Sequence, residues 1–157
     1  MKVKSNSGGT TVSIIDTTSN TVTNTVNVNS PGGIAIDPTG EKIYVSSGSD
    51  GTVSTIDTTS NTVTATVNVG KKPHGIAVTP SGKYVYVANN GDNTVSVIDT
   101  KTNTVTATVT VGDGPFGVGV TPDGTQVYVA NRGTDNSQAK TVSVIDTSTN
   151  KVIQTIT

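Results

Sequence analysis

One segment of this chain is written four times. TVSIIDTTSNTVTNTVNV begins at residue 11, TVSTIDTTSNTVTATVNV at 52, TVSVIDTKTNTVTATVTV at 94 and TVSVIDTSTNKVIQTIT at 141, offsets of 41, 42 and 47. GGIAIDPTGEKIYVSS from 32, HGIAVTPSGKYVYVAN from 74 and FGVGVTPDGTQVYVAN from 116 fill the intervals. Self-similarity at this spacing means that each unit is one supersecondary element, which buries its apolar side only by stacking on the next. The chain divides into repeats at approximately 1–30, 31–72, 73–114 and 115–157 of a single domain.

Each unit reads as four short strands. The first is small-sided, as in Ile76 to Val78, and ends in TPSG, where Pro presets a turn and Gly82 accepts positive φ. The second is YVYVAN, Tyr84 to Asn89. In TVSVID, Val95 and Val97 share one face while Ser96 and Ile98 share the other, the period of two that strands require. Asp99 and Asn103 bracket a polar turn. In TVTATVTV, a strict alternation puts Val105, Ala107, Val109 and Val111 on one side and four threonines on the wet side. No helical periodicity occurs. Four antiparallel strands at this period predict an all-β chain of β-propeller blades, the small-residue strand innermost and the Thr-faced strand at the rim.

The combination in YVANNGDNTVSVIDTKTNTVTATVTVGDGPFGVGVTPDG resembles the YVTN family of β-propeller repeats, known from surface-layer proteins and other secreted or cell-surface proteins. The resemblance covers nearly the whole chain. It implies the fold, and a non-catalytic structural or interaction module at the cell surface or outside the cell. It also leaves open a lactonase-type or redox-type enzyme domain, since propellers of this kind occur in such enzymes.

MKVKSNSGGTTV aligns with YVYVANNGDNTV, so Val3 to Asn6 takes the second-strand position and the first unit has three strands. About four blades, the first without its innermost strand, predict self-association as a two-fold dimer or head to tail. The alternative is that the chain is a piece, excised or designed, of a longer propeller.

The bulk chemistry excludes several classes. Ten Lys and Arg stand against eleven Asp and Glu, without a basic stripe, which argues against nucleic acid. No apolar run is long enough to span a bilayer as a helix, and the first residues lack the apolar centre of a signal peptide. Cysteine is absent, so disulfides and thiolate metal sites are excluded, and no N-x-S/T sequon occurs. His74 is the only histidine, on the loop leading to an innermost strand. One histidine cannot build a metal or heme cluster, so no metal, cofactor or catalytic residue is expected. Asp16, Asp57, Asp99 and Asp146 are four copies of one turn residue, and catalysis needs one asymmetric constellation. GSDGT at 48 and NNGDNT at 89 have oxygen-rich compositions suited to weak Ca²⁺ binding, but neither has an EF-hand's length or terminal Glu.

Asymmetry is the remaining functional signal. The loop after the second strand is GSDG or NGDN in the middle units but RGTDNSQAK from residue 132 in the last. It should emerge on the same face of the ring as the loop carrying Lys71, Lys72, His74, Asp113 and Phe116. Together with Arg132, Asp135, Asn136, Gln138 and Lys140 these residues form the predicted contact face for a protein or glycan partner.

Overall fold

The computed structural model describes residues 1–133 and 140–157. Fifteen strands form among them, in four antiparallel sheets, with no helix. The first sheet holds β1 (Lys2–Ser5), β2 (Thr11–Asp16) and β3 (Thr21–Asn27). The second runs β4 (Pro31–Ile36), β5 (Lys42–Ser47), β6 (Thr52–Asp57) and β7 (Thr62–Asn68). The third runs β8 (Pro73–Val78), β9 (Tyr84–Asn89), β10 (Thr94–Asp99) and β11 (Thr104–Thr110). The fourth runs β12 (Pro115–Val120), β13 (Gln126–Asn131), β14 (Thr141–Asp146) and β15 (Lys151–Ile156). The expected blades of a β-propeller, three-stranded and then four-stranded, are all present.

The polar turns are built by the repeated Asp and Asn. Asp99 Oδ1 accepts the N–H groups of Lys101 at 2.9 Å and Thr102 at 3.0 Å, and Asn103 N–H donates to the Asp99 carbonyl at 2.9 Å. Asn20, Asn61, Asn103 and Asn150 all close this turn with φ between 52° and 55°, a left-handed conformation that Asn tolerates better than most residues. Backbone N–H groups, foremost those of Ser19, Ser60 and Thr102, hold Asp16, Asp57 and Asp99 below the ordinary 3.8; at Asp146 the Ser148 hydroxyl leads. All four carboxylates are thus committed to the fold.

Two local expectations are corrected. The innermost strands begin earlier than their small residues suggest: β8 starts at Pro73, and a register shift between Pro73 and Ile76 lets the chain run into the strand. His74 and Phe116 therefore sit on strands instead of loops. The outer strand also does not alternate strictly. A β-bulge opposite Val97 and Ile98 leaves Thr106 unpaired, so Val105 pairs with Ile98 while Ala107 pairs with Val97. Val105 consequently packs toward the second sheet, whereas Ala107 and Val109 pack toward the fourth. An inserted residue flips every side chain beyond it, which a period of two cannot foresee.

The core lies between the sheets, in three apolar layers. Val12, Ile14 and Val26 of the first sheet meet Ile43, Val45 and Ile56 of the second. Tyr44, Val53 and Val67 on the other side of the second sheet meet Ile76, Val85, Val87 and Ile98 of the third. Tyr86, Val95, Val97 and Val109 then meet Val127, Val129 and Ile145 of the fourth. At the axis the inner strands approach so closely that a Cβ on Gly33 would collide with the His74 carbonyl, and one on Gly75 with the Phe116 carbonyl. Glycine is required there for space.

Candidate functional site

The inner strands β4, β8 and β12 line a groove of 480 Å³ along the axis, with Gly33, His74, Gly75, Phe116 and Val118 among its walls. His74 and Phe116 stack at its mouth, ring centroids 4.6 Å apart and planes 30° apart. The Arg132 guanidinium lies over the same Phe116 ring, 4.6 Å from its centroid. Phe116 is nonetheless 41% exposed, a large apolar ring left open to solvent.

The neighbouring loop positions this aromatic. Asn93 Nδ2 donates to Asp113 Oδ1 at 3.0 Å, while its Oδ1 accepts the Gly114 N–H at 2.9 Å. Asn90 Nδ2 donates to the Pro115 carbonyl at 3.3 Å. Two side chains of the third sheet's NNGDN loop thereby fix the turn that feeds Phe116 into β12. Composition marks NNGDNT only as an oxygen-rich loop and does not show this role; the signal it carries is two Asn residues, Asn90 and Asn93, beyond the strand end.

The predicted contact residues part company here. His74, Phe116 and Arg132 come together, and Lys72 is near enough to bear electrostatically on His74. Lys71 turns aside: its N–H donates to Asp92 Oδ2 at 2.7 Å, and its Nζ lies 3.9 Å from Oδ1. Both line a separate groove of 650 Å³ between the second and third sheets, which Asp50 and Lys72 also border. Asp113 serves the turn. Lys140 is exposed where the chain resumes before β14. Asp135, Asn136 and Gln138 lie outside the described residues. In the two oxygen-rich loops, Asp50 Oδ1 accepts from Asn29 at 2.8 Å and from the Ser49 hydroxyl at 2.8 Å, as Asp92 does from Lys71.

Electrostatics at the mouth favour bound negative charge. Desolvation, then the charges of Arg132 and Lys72, hold the His74 imidazole below its ordinary 6.5. The folded chain therefore binds fewer protons at this site than the unfolded chain as pH falls below 6.5. The stability that goes with a neutral His74 is complete above that value and is lost as the pH falls through the lower folded value. Between about pH 7.5 and about pH 5, the thermal midpoint of the native chain should fall further than that of His74→Gln. Equal losses in the two would contradict this assignment. Among the described residues, the charged groups that bear on His74 are both cations, and none is a carboxylate that would orient it as a general base. Among the described residues, no three His, Cys, Asp or Glu side chains gather as a metal site would require.

A family model described as "Lactonase, 7-bladed beta-propeller" matches residues 3–112. Among solved structures, a chain of Kuenenia stuttgartiensis hydrazine synthase is similar at 31% identity with a TM-score of 0.92; the likeness covers 97% of the present chain and 44% of that one. The present chain thus spans less than half the length of that protein. No curated protein matches.

Proposed function

Since the chain belongs to the seven-bladed β-propeller lactonase family, we propose that it uses this framework to hold a ligand without turning it over. It is a non-catalytic binding module displayed outside the cell, with its contact site at the mouth of the axial groove. One observation carries the reading: Phe116 is open to solvent while His74 and Arg132 pack on it, with the Lys72 charge bearing on His74. An exposed aromatic ring supplies an apolar platform, and Arg132 and Lys72 supply charge-assisted donors. An acidic glycan suits both, its sugar face on Phe116 and its carboxylates toward the cations. The extracellular setting rests on the polar, Thr-rich and weakly charged composition together with the resemblance to surface-layer repeats.

Lactone hydrolysis is the second reading, favoured by the family's own description. Against it stand the cationic neighbours of the single histidine and the commitment of the four repeated aspartates to turns. Calorimetric titration with oligogalacturonate tests the binding reading. We expect saturable binding, weakened at least about tenfold in Phe116→Ala, a loss of about 1.4 kcal/mol. Binding of equal strength in that variant would remove Phe116 from the site, and absence of binding in the native chain would overturn the ligand class. A carboxylate-bearing protein partner is then the remaining outcome to examine by the same variant.

A further inference from the structure

Two neighbouring gaps between sheets are closed differently. Between the third and fourth sheets, Asn93 bridges the gap: its Oδ1 accepts the Gly114 N–H at 2.9 Å and its Nδ2 donates to Asp113 Oδ1 at 3.0 Å. One repeat earlier, between the second and third sheets, the residues matching Asn93, Gly114 and Asp113 are Gly51, Lys72 and Lys71. The backbone is the same in both gaps. Gly51 and Asn93 hold positive φ of 67° and 56°, and Lys72 and Gly114 hold 49° and 60°. Val69 N–H donates to the Gly51 carbonyl at 2.8 Å, as Val111 N–H does to the Asn93 carbonyl at 3.0 Å. Only the bridging side chain differs. Gly51 has none with which to accept the Lys72 N–H, and the groove of 650 Å³ lies in its place.

The exchange of Asp113 for Lys71 sets the chemistry of what fits this groove. An amide suits Gly114 and Asp113 because it accepts from the N–H and donates to the carboxylate. With Lys71 in the place of Asp113 both partners are donors, so the complementary group is one that accepts from both, as a carboxylate does. Lys71 is free to take that role: its side chain is 83% exposed, and its Nζ stands 3.9 Å from Asp92 Oδ1, a loose surface ion pair. The rest of the polar wall is rich in acceptors, with Ser49, Asp50 and Asp92. Asp50 and Asp92 already receive protein donors, but a carboxylate offers about four acceptor sites, so each has room for ligand hydroxyls. The same two carboxylates repel a ligand with more than one negative charge.

We propose that the groove between the second and third sheets is a second binding site, for a sugar acid, with its single carboxylate between the Lys72 N–H and the Lys71 ammonium and its hydroxyls toward Asp50 and Asp92. The site is separate from the axial mouth, since neither His74 nor Phe116 is among its walls. A free uronic acid and the end residue of an acidic glycan present the same group to it.

Titration with galacturonate, followed through backbone amide NMR signals, tests the proposal. The native chain should show saturable shifts at the Gly51 and Lys72 amides, unchanged in Phe116→Ala. Galactose, which lacks the carboxylate, should bind at least about tenfold more weakly, the loss expected for hydrogen bonds to a charged group. A Cβ at Gly51 would meet only the Gly70 carbonyl, at 3.3 Å, and Asn93 already holds the same backbone conformation, so Gly51→Asn should fold. It should weaken galacturonate at least about tenfold by occupying the Lys72 N–H. Lys71→Ala should weaken it about threefold and serves if Gly51→Asn fails to fold. In Phe116→Ala, trigalacturonate binding more tightly than galacturonate would assign the site to a glycan end, and equal affinity to the free sugar acid; both uphold it. A native chain without saturable shifts at Gly51 and Lys72 would overturn the proposal. So would galacturonate affinity that neither Gly51→Asn nor Lys71→Ala lowers, galactose binding as tightly, or shifts that centre on His74 and vanish in Phe116→Ala. Glycine binding more tightly than galacturonate would overturn the sugar in favour of an ammonium at Asp50.

Discussion

Tyr86→Ala should destabilise the chain by about 3–5 kcal/mol, the range for removing a large aromatic from a packed interior. Its ring is fully buried between the third and fourth sheets, and its hydroxyl donates to Asn150 Oδ1 at 2.9 Å. Burial pushes the phenol pKa up to about 12, so the group stays protonated and keeps its donor role at neutral pH. Truncation leaves a cavity in the layer that includes Val95, Val97, Val127 and Val129, and leaves Asn150 without that donor. Tyr128→Ala removes the same side chain from the same repeat position, but one that is 41% exposed. The single chain should then lose less than about 1 kcal/mol. Urea unfolding of the two variants provides the comparison. Similar losses in both would mean that burial between sheets does not set the stability.

Gly75→Ala is the second large effect, expected at about 3 kcal/mol, the upper end of ordinary overpacking. The new methyl would run into the Phe116 carbonyl and stand 3.0 Å from the Val118 nitrogen, so β8 and β12 must separate. That separation also moves His74 away from Phe116, and the variant should lose ligand binding along with stability. Gly117, at the matching position one repeat later, has Ala130 Cβ at 3.7 Å and no backbone in the way. Gly119 has nothing within 4 Å, and its counterparts Ala35 and Ala77 already carry the methyl. Gly119→Ala should therefore be neutral or stabilising by up to about 1 kcal/mol. Thermal midpoints of the three alanine variants check the order; a Gly75→Ala protein as stable as Gly117→Ala would contradict the close axial approach.

What was legible in the sequence was whatever the repeat states more than once. The strands, the Asp and Asn turns and the order of strands from axis to rim all follow from patterns that recur in several units. Val105 escaped because a single inserted residue, Thr106, turns it to the opposite face, and alternation alone contains no mark of a bulge. His74 escaped because spacing marks the strand only from its first apolar residue, Ile76, although a register shift carries the ladder back to Pro73. At the site, nearness of Arg132 to Phe116 depends on how far one loop reaches over the next strand, a distance that spacing does not encode.

The central functional claim is that the mouth around Phe116 binds without catalysing. Its most direct test is hydrolysis of glucono-δ-lactone by the native chain and by His74→Ala, each corrected for the buffer reaction. The native chain is expected to hydrolyse the lactone no faster than buffer, and the variant likewise. Hydrolysis well above the buffer rate that disappears in His74→Ala would contradict the claim and make this histidine part of a lactonase site.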